Sequence, residues 1–119
     1  MKLLRDIVLR TVPVVEPERS LADVLAMIAE ESLQTVVIVG DGMYMGVFTP
    51  DDRDSGRIPA GVDRANLAVG SYANGLRFVG SPSMSVADAR ELIVKHNLRA
   101  MPVVAGRIYK GVVTPEDLM

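Results

Sequence analysis

The sequence predicts an α+β fold in which one half-domain is written twice, and two observations carry the prediction. Gly46-Val47-Phe48-Thr49-Pro50-Asp51-Asp52 returns 65 residues later as Gly111-Val112-Val113-Thr114-Pro115-Glu116-Asp117. The same offset carries Pro17 onto Pro82, Ser20 onto Ser85, Asp23 onto Asp88, Ile28 onto Ile93, Leu33 onto Leu98 and Tyr44 onto Tyr109, with no gap. A repeat held in register over that length is one structural unit used twice. A single unit of roughly 50–60 residues would leave much apolar surface wet. The two are therefore expected to pack as a single module over residues 1–119, with internal pseudo-two-fold symmetry and not as separate beads. The expected boundaries are 1–56 for the first repeat, 57–70 for a linker and 71–119 for the second repeat, with a truncated terminal helix.

In chain order, Lys2 to Arg10 is expected to form a short helix with Leu3, Leu4, Ile7 and Val8 on one side. Thr11 to Pro17 is bracketed by proline and rich in Val, so it should be extended. Ser20 is an N-cap with Asp23 three residues on, and Leu21, Val24, Leu25 and Ile28 repeat at helical spacing. Thr35 to Val39 is a β-branched run that reads as a buried strand. Gly40-Asp41-Gly42 supplies a hairpin turn, and Met43 to Phe48 returns as a strand. Met43 and Met45 are expected to fill the core or line a cleft wall. Thr49-Pro50-Asp51-Asp52 has a cap, a proline suited to the first helical position and acids for the first turn. That helix must be short, because Ser55-Gly56 and Pro59-Ala60-Gly61 break it.

Asp63 to Ala73 is weakly helical and is expected to carry Leu67, Ala68 and Val69 towards the second unit. There the order repeats: Arg77-Phe78-Val79 extended, Ser85 capping a helix lined by Val86, Ala89 and Ile93, then a hairpin from Met101 to Val113 around Ala105-Gly106. Each half thus reads strand, helix, strand, strand, helix start, giving small mixed sheets flanked by helices. The first two strands should be parallel through a crossover helix, and the third antiparallel.

Composition narrows function. The formal net charge of −2 argues against a basic nucleic-acid surface. The absence of Cys removes disulfides, thiolate metal sites and a thiol nucleophile. No apolar run is long enough to cross a bilayer, and the N-terminus lacks a signal-type region, so a cytoplasmic location is expected. Gly40-Asp41-Gly42 is no dinucleotide fingerprint, because Met45 stands where the third glycine belongs and a strand follows. The single His96 has neither a cysteine nor a second histidine for a metal. Nothing supplies an activated nucleophile with its base and orienting group, so the chain is not expected to be an enzyme.

A repeated strand–helix–strand–strand unit ending in Gly-Val-apolar-Thr-x-x-Asp resembles a pair of cystathionine-β-synthase (CBS) domains, the tandem arrangement called a Bateman module. The two matched endings and Met101-Pro102-Val103-Val104 carry the resemblance, which covers nearly the whole chain. It implies two β-α-β-β-α repeats and two symmetry-related clefts that hold adenosine compounds. Residue by residue, it implies that Asp52 and Asp117 bind ribose and that Thr49 and Thr114 supply the hydroxyl at the helix start. Arg99 would lie near phosphate, and Val14, Val15, Phe78, Val79, Met101 and Pro102 would line the base. Val37 stands in the place of Pro102, and Gln34 in that of Arg99, so the first repeat lacks the basic contact.

An ionised carboxylate only accepts hydrogen bonds, which suits the two hydroxyls of a ribose. The same residue types also describe a plain helix cap. On the resemblance, the expected function is a regulatory module sensing an adenine nucleotide or related adenosyl compound. AMP, ADP, ATP, S-adenosylmethionine and NAD are candidate ligands, with no cofactor required. Its expected partners are a second copy in a homodimer and an attached or separate effector domain. The alternative is an interaction or dimerisation domain of a larger channel, transporter or enzyme, with no bound nucleotide.

Overall fold

The computed structural model describes residues 1–74 and 79–118. Its Cα trace divides into two compact units, one of Pro13–Leu76 and one of Met1–Val12 with Arg77–Met119. The first follows the predicted order of elements; in the second the described residues give helix, strand, strand and a 3-10 turn, and Arg77 and Phe78, expected to be extended, lie outside the described residues.

In the Pro13–Leu76 unit, β1 (Val14–Val15) leads to α1 (Leu21–Glu31), then to β2 (Val36–Gly40), β3 (Met43–Phe48) and α2 (Pro50–Arg53). The strands form one sheet in the order β1-β2-β3, parallel between the first two and antiparallel between the last two. The helix starts where predicted: the Ser20 hydroxyl accepts from the Asp23 amide at 3.1 Å. Its apolar stripe, Leu21, Val24 and Ile28, packs against Val15, Val36, Ile38 and Phe48. The hairpin turns on Asp41 and Gly42, both at positive φ, the geometry a two-residue turn requires.

In the other unit, α3 (Val86–Lys95) precedes β4 (Met101–Ala105) and β5 (Ile108–Val113), and a 3-10 turn covers Pro115–Leu118. The Ser85 hydroxyl accepts from the Asp88 amide at 3.0 Å. Gly80 makes a parallel bridge to Val103, in the position that Val15 takes beside Ile38 in the first repeat. Both hairpins shift register at the same repeat position, between Ile38 and Val39 and between Val103 and Val104. Both long helices also end alike. Ser32 and Asn97, 65 residues apart, take left-handed backbone with φ 51. The next amides, of Leu33 and Leu98, then reach back to the carbonyls of Ile28 and Ile93, which closes the helix end.

The units are cut differently from the sequence boundaries, and the hydrogen bonds show why. Leu4 N–H donates to the Met84 carbonyl, and Val69 N–H donates to the Arg19 carbonyl, both at 2.9 Å. Arg5 to Pro82 is matched by Gly70 to Pro17, and Val86 to Lys2 by Leu21 to Leu67. Every donor and acceptor in these pairs is displaced by the repeat offset. The segment preceding each repeat therefore packs on the other repeat's helix start and hairpin. Arg10 bridges Val112 on β5, and Asn74 bridges Val47 on β3.

This corrects two expectations. Lys2 to Arg10 is not a regular helix; only Leu4–Asp6 forms a 3-10 turn. Val69 does not lead towards the second unit; it is fully buried in the core of the first, while Leu4 is fully buried with Ala89, Ile93, Met101, Val103, Val113 and Leu118. Met43 and Met45 do not fill the core, the first of the two expectations for them. They are 41% and 48% exposed, because they lie in the half of β3 next to the hairpin tip, while Gly46, Val47 and Phe48 in its other half are all buried.

Candidate functional site

The two Thr-Pro-acid-Asp turns are built alike. In the first, Thr49 is extended and Pro50 opens α2. Proline loses nothing there, since that amide has no helical partner, and its fixed φ suits the first turn. The Asp52 Oδ2 then accepts from the Thr49 amide and from the Thr49 hydroxyl, both at 2.9 Å. In return the Asp52 amide donates to Thr49 Oγ1 at 3.3 Å. In the second, Asp117 Oδ2 accepts from the Thr114 amide at 2.9 Å and the Thr114 hydroxyl at 3.0 Å. Each Asp is thus fixed to its Thr by two bonds, with its other oxygen directed elsewhere.

That other oxygen meets an arginine in each unit. Arg57 Nη2 donates to Asp52 Oδ1 at 3.2 Å and to the Tyr72 carbonyl at 2.9 Å. Arg10 Nε lies 3.0 Å from both oxygens of Asp117, and its Nη2 lies 3.5 Å from Glu116. The Asp52 side chain is 9% exposed and that of Asp117 is 18% exposed. Burial alone would push the Asp117 carboxyl up; the bonds from the Thr114 amide, from Arg10 and from the Thr114 hydroxyl outweigh it and hold the group below its ordinary value. Asp117 is therefore an ionised acceptor at neutral pH.

The other predicted site residues fall into different surroundings. Val15 and Met101 belong to the two cores, and Pro102 is buried on β4. Val14 is 49% exposed, Val79 is half-buried, Arg99 is exposed, and Phe78 lies outside the described residues. Thr49 and Thr114 are half-buried beside their aspartates. The structure thus brings Thr49 to Asp52 and Thr114 to Asp117.

Arg10 and Arg57 are the residues that sequence reasoning missed. Neither is marked by the repeat: Arg10 falls on Gly75 at the offset, and Arg57 has no counterpart within the chain. Only the exchange of the preceding segments brings Arg10 beside Asp117. Among the described residues, no helix is long and apolar enough to cross a membrane. Among the same residues, no group of three or more His, Cys, Asp or Glu side chains could hold a metal ion.

Residues 4–52 and 81–119 match the CBS domain family, and the chain belongs to it. Over 119 residues it is 25% identical to the CBS domain-containing protein YhcV of Bacillus subtilis (strain 168), covering 99% of this chain and 84% of YhcV. It is 32% identical over 112 residues to the arabinose 5-phosphate isomerase KdsD of Yersinia pestis, covering 91% of this chain but only 33% of that enzyme. In fold it is similar to the crystal structure of CBSX2 in complex with AMP, with a TM-score of 0.80 at 20% identity, covering 99% of this chain and 93% of the other. The chain is a CBS domain pair, a class of module that is commonly regulatory.

Proposed function

We propose that this CBS pair is a regulatory module that binds an adenine nucleotide or related adenosyl compound and holds the ribose diol on Asp117. The observation that carries the reading is the Asp117 carboxylate: ionised, fixed by Thr114, and still partly open to solvent. A carboxylate offers only acceptor positions, and a vicinal diol has two donors to place. The AMP complex of CBSX2, similar in fold, supports this ligand class. Arg99, on the same repeat, is the candidate phosphate contact, and backbone of Val79, Met101 and Pro102 the candidate base wall. The module works by binding and not by catalysis, in the cytoplasm, through a homodimer or an effector domain whose pairing the ligand shifts. Such a shift requires different affinities for the two arrangements.

A second reading is favoured by Asp52. Its carboxylate is nearly buried and closed by Arg57, so the first turn is served fully by a structural role. If Asp117 were equally inert, the chain would be an interaction domain. The match to one third of an isomerase fits a module attached to an enzyme.

Thermal unfolding with AMP, ADP, ATP, S-adenosylmethionine and NAD separates the two. A ligand at 100 times its dissociation constant adds about 2.7 kcal/mol of stability. At least one compound is expected to raise the melting temperature of the wild type. Asp117→Ala should lower the unliganded melting temperature through loss of the turn's bonds, and should then show no ligand shift. A full shift retained in both Asp52→Ala and Asp117→Ala would remove the site assignment.

A further inference from the structure

Taking Asp117 as the ribose acceptor, we infer that Arg10 is a displaceable gate on it and Arg57 a fixed gate on Asp52, so that one site per chain is open to an adenosyl ligand. The inference rests on that functional reading and on counting acceptor positions. A carboxylate has about four lone-pair sites. At Asp117, two are taken by the Thr114 amide and hydroxyl, and Arg10 Nε is shared across both oxygens at 3.0 Å. A diol needs two, so it cannot be seated in full until Arg10 leaves. At Asp52 the count is the same: two bonds from Thr49 and one from Arg57.

The two arginines differ in what holds them when they let go. Both side chains are about equally exposed, 50% for Arg10 and 46% for Arg57, but the second partner of Arg10, Glu116, is 78% exposed. Arg10 can swing off Asp117 into water and stay beside a charge that moves with it. Arg57 is held by the carbonyl of Tyr72, in the 3-10 turn Val69–Tyr72 whose Val69 is fully buried in the core. That partner cannot follow, and the Asp52 side chain is half as exposed as that of Asp117. The first site is therefore shut by a backbone anchor, and the second by a pair of surface charges.

Arg10 also belongs to the segment that reaches β5 through the Arg10–Val112 bridge. A ligand that expels its side chain frees one tie of residues 2–10, which gives occupancy a structural consequence.

Isothermal titration of the full chain with adenosine, which has no phosphate to attract an arginine, tests the gate. The wild type is expected to bind one equivalent. Arg10→Gln should bind roughly three- to tenfold more tightly, the range set by a solvent-exposed ion pair and somewhat beyond. Arg10→Met, which keeps the aliphatic stem, should do the same. Arg57→Gln should raise the stoichiometry from one to two. Affinity that is unchanged or weaker in both Arg10 variants overturns the gate, as does a wild type that already binds two equivalents or an Arg57→Gln that stays at one. Binding lost in Asp117→Ala yet indifferent to Arg10 overturns the gate alone. If adenosine and AMP bind neither the wild type nor any variant, the nucleotide reading falls and the gate with it.

Discussion

Leu4→Ala is expected to destabilise the protein by about 2–5 kcal/mol, the range for emptying a buried leucine site. Here Leu4 is fully buried in the core made by Ala89, Ile93, Met101, Val103, Val113 and Leu118. Its amide and that of Arg5 are tied to the carbonyls of Met84 and Pro82. A cavity there removes both apolar contact and the anchor of the segment. Its neighbours Arg5 and Asp6 are exposed, and Arg5→Ala should stay within about 0.5 kcal/mol of wild type. Urea unfolding measures the difference, and hydrogen exchange should show protection failing first in 79–118. A Leu4→Ala cost below that of Arg5→Ala would contradict the exchanged packing.

Gly111→Ala is the second large effect, expected to cost about 2–5 kcal/mol from two sources. Gly111 has φ +154, which side chains rarely adopt, and such strain costs about 1–3 kcal/mol. A Cβ would also stand 2.6 Å from the Leu9 Cβ and 3.2 Å from the Arg10 carbonyl. Overpacking adds about 1–3 kcal/mol. Gly46 repeats the arrangement with φ +152, its added Cβ 2.9 Å from the Asn74 carbonyl. Each glycine is therefore the place where the exchanged segment crosses a hairpin. Gly42, at the exposed hairpin tip, has positive φ but nothing within 4 Å of an added Cβ. Gly42→Ala should cost less than Gly111→Ala by the steric part. Thermal unfolding of the three alanine variants gives the comparison, and equal losses at all three would refute the crossing as the cause.

Much of the fold was legible because it is local. Caps at Ser20 and Ser85, the β-branched runs, the Asp41-Gly42 turn and the Thr-Pro-acid-Asp starts declare themselves within four or five residues. The exchange was not legible from local pattern, since Leu4 and Val69 look apolar wherever they are sent. Yet one signal lay in the sequence: the offset of 65 also relates Leu3 and Leu4, inside the first repeat's expected bounds, to Ala68 and Val69, which were assigned to the linker. Following it further upstream would have made the linker part of the second repeat, as residues 1–10 are part of the first. Which repeat each joins depends on long-range pairing, which no window of sequence contains. At the site, Thr49, Asp52, Thr114 and Asp117 were legible as caps and as candidate diol acceptors. The arginines facing them were not, because an ion pair between Arg10 and Asp117 spans almost the entire chain. The methionines of β3 misled for a plainer reason: alternation in a strand identifies its two faces but not how far along the strand the core reaches, and here it stops at Gly46.

The ligand reading reduces to whether Asp117 receives a sugar hydroxyl, and calorimetric titration with AMP and its 2′-deoxy counterpart asks this directly. A hydrogen bond to a charged group is worth about 1.5–3 kcal/mol, so the wild type should bind the deoxy compound roughly ten- to 150-fold more weakly. In Asp117→Asn, whose side-chain amide can still accept from Thr114, that discrimination should shrink to a few-fold at most. Equal affinity of the wild type for the two compounds would contradict the account.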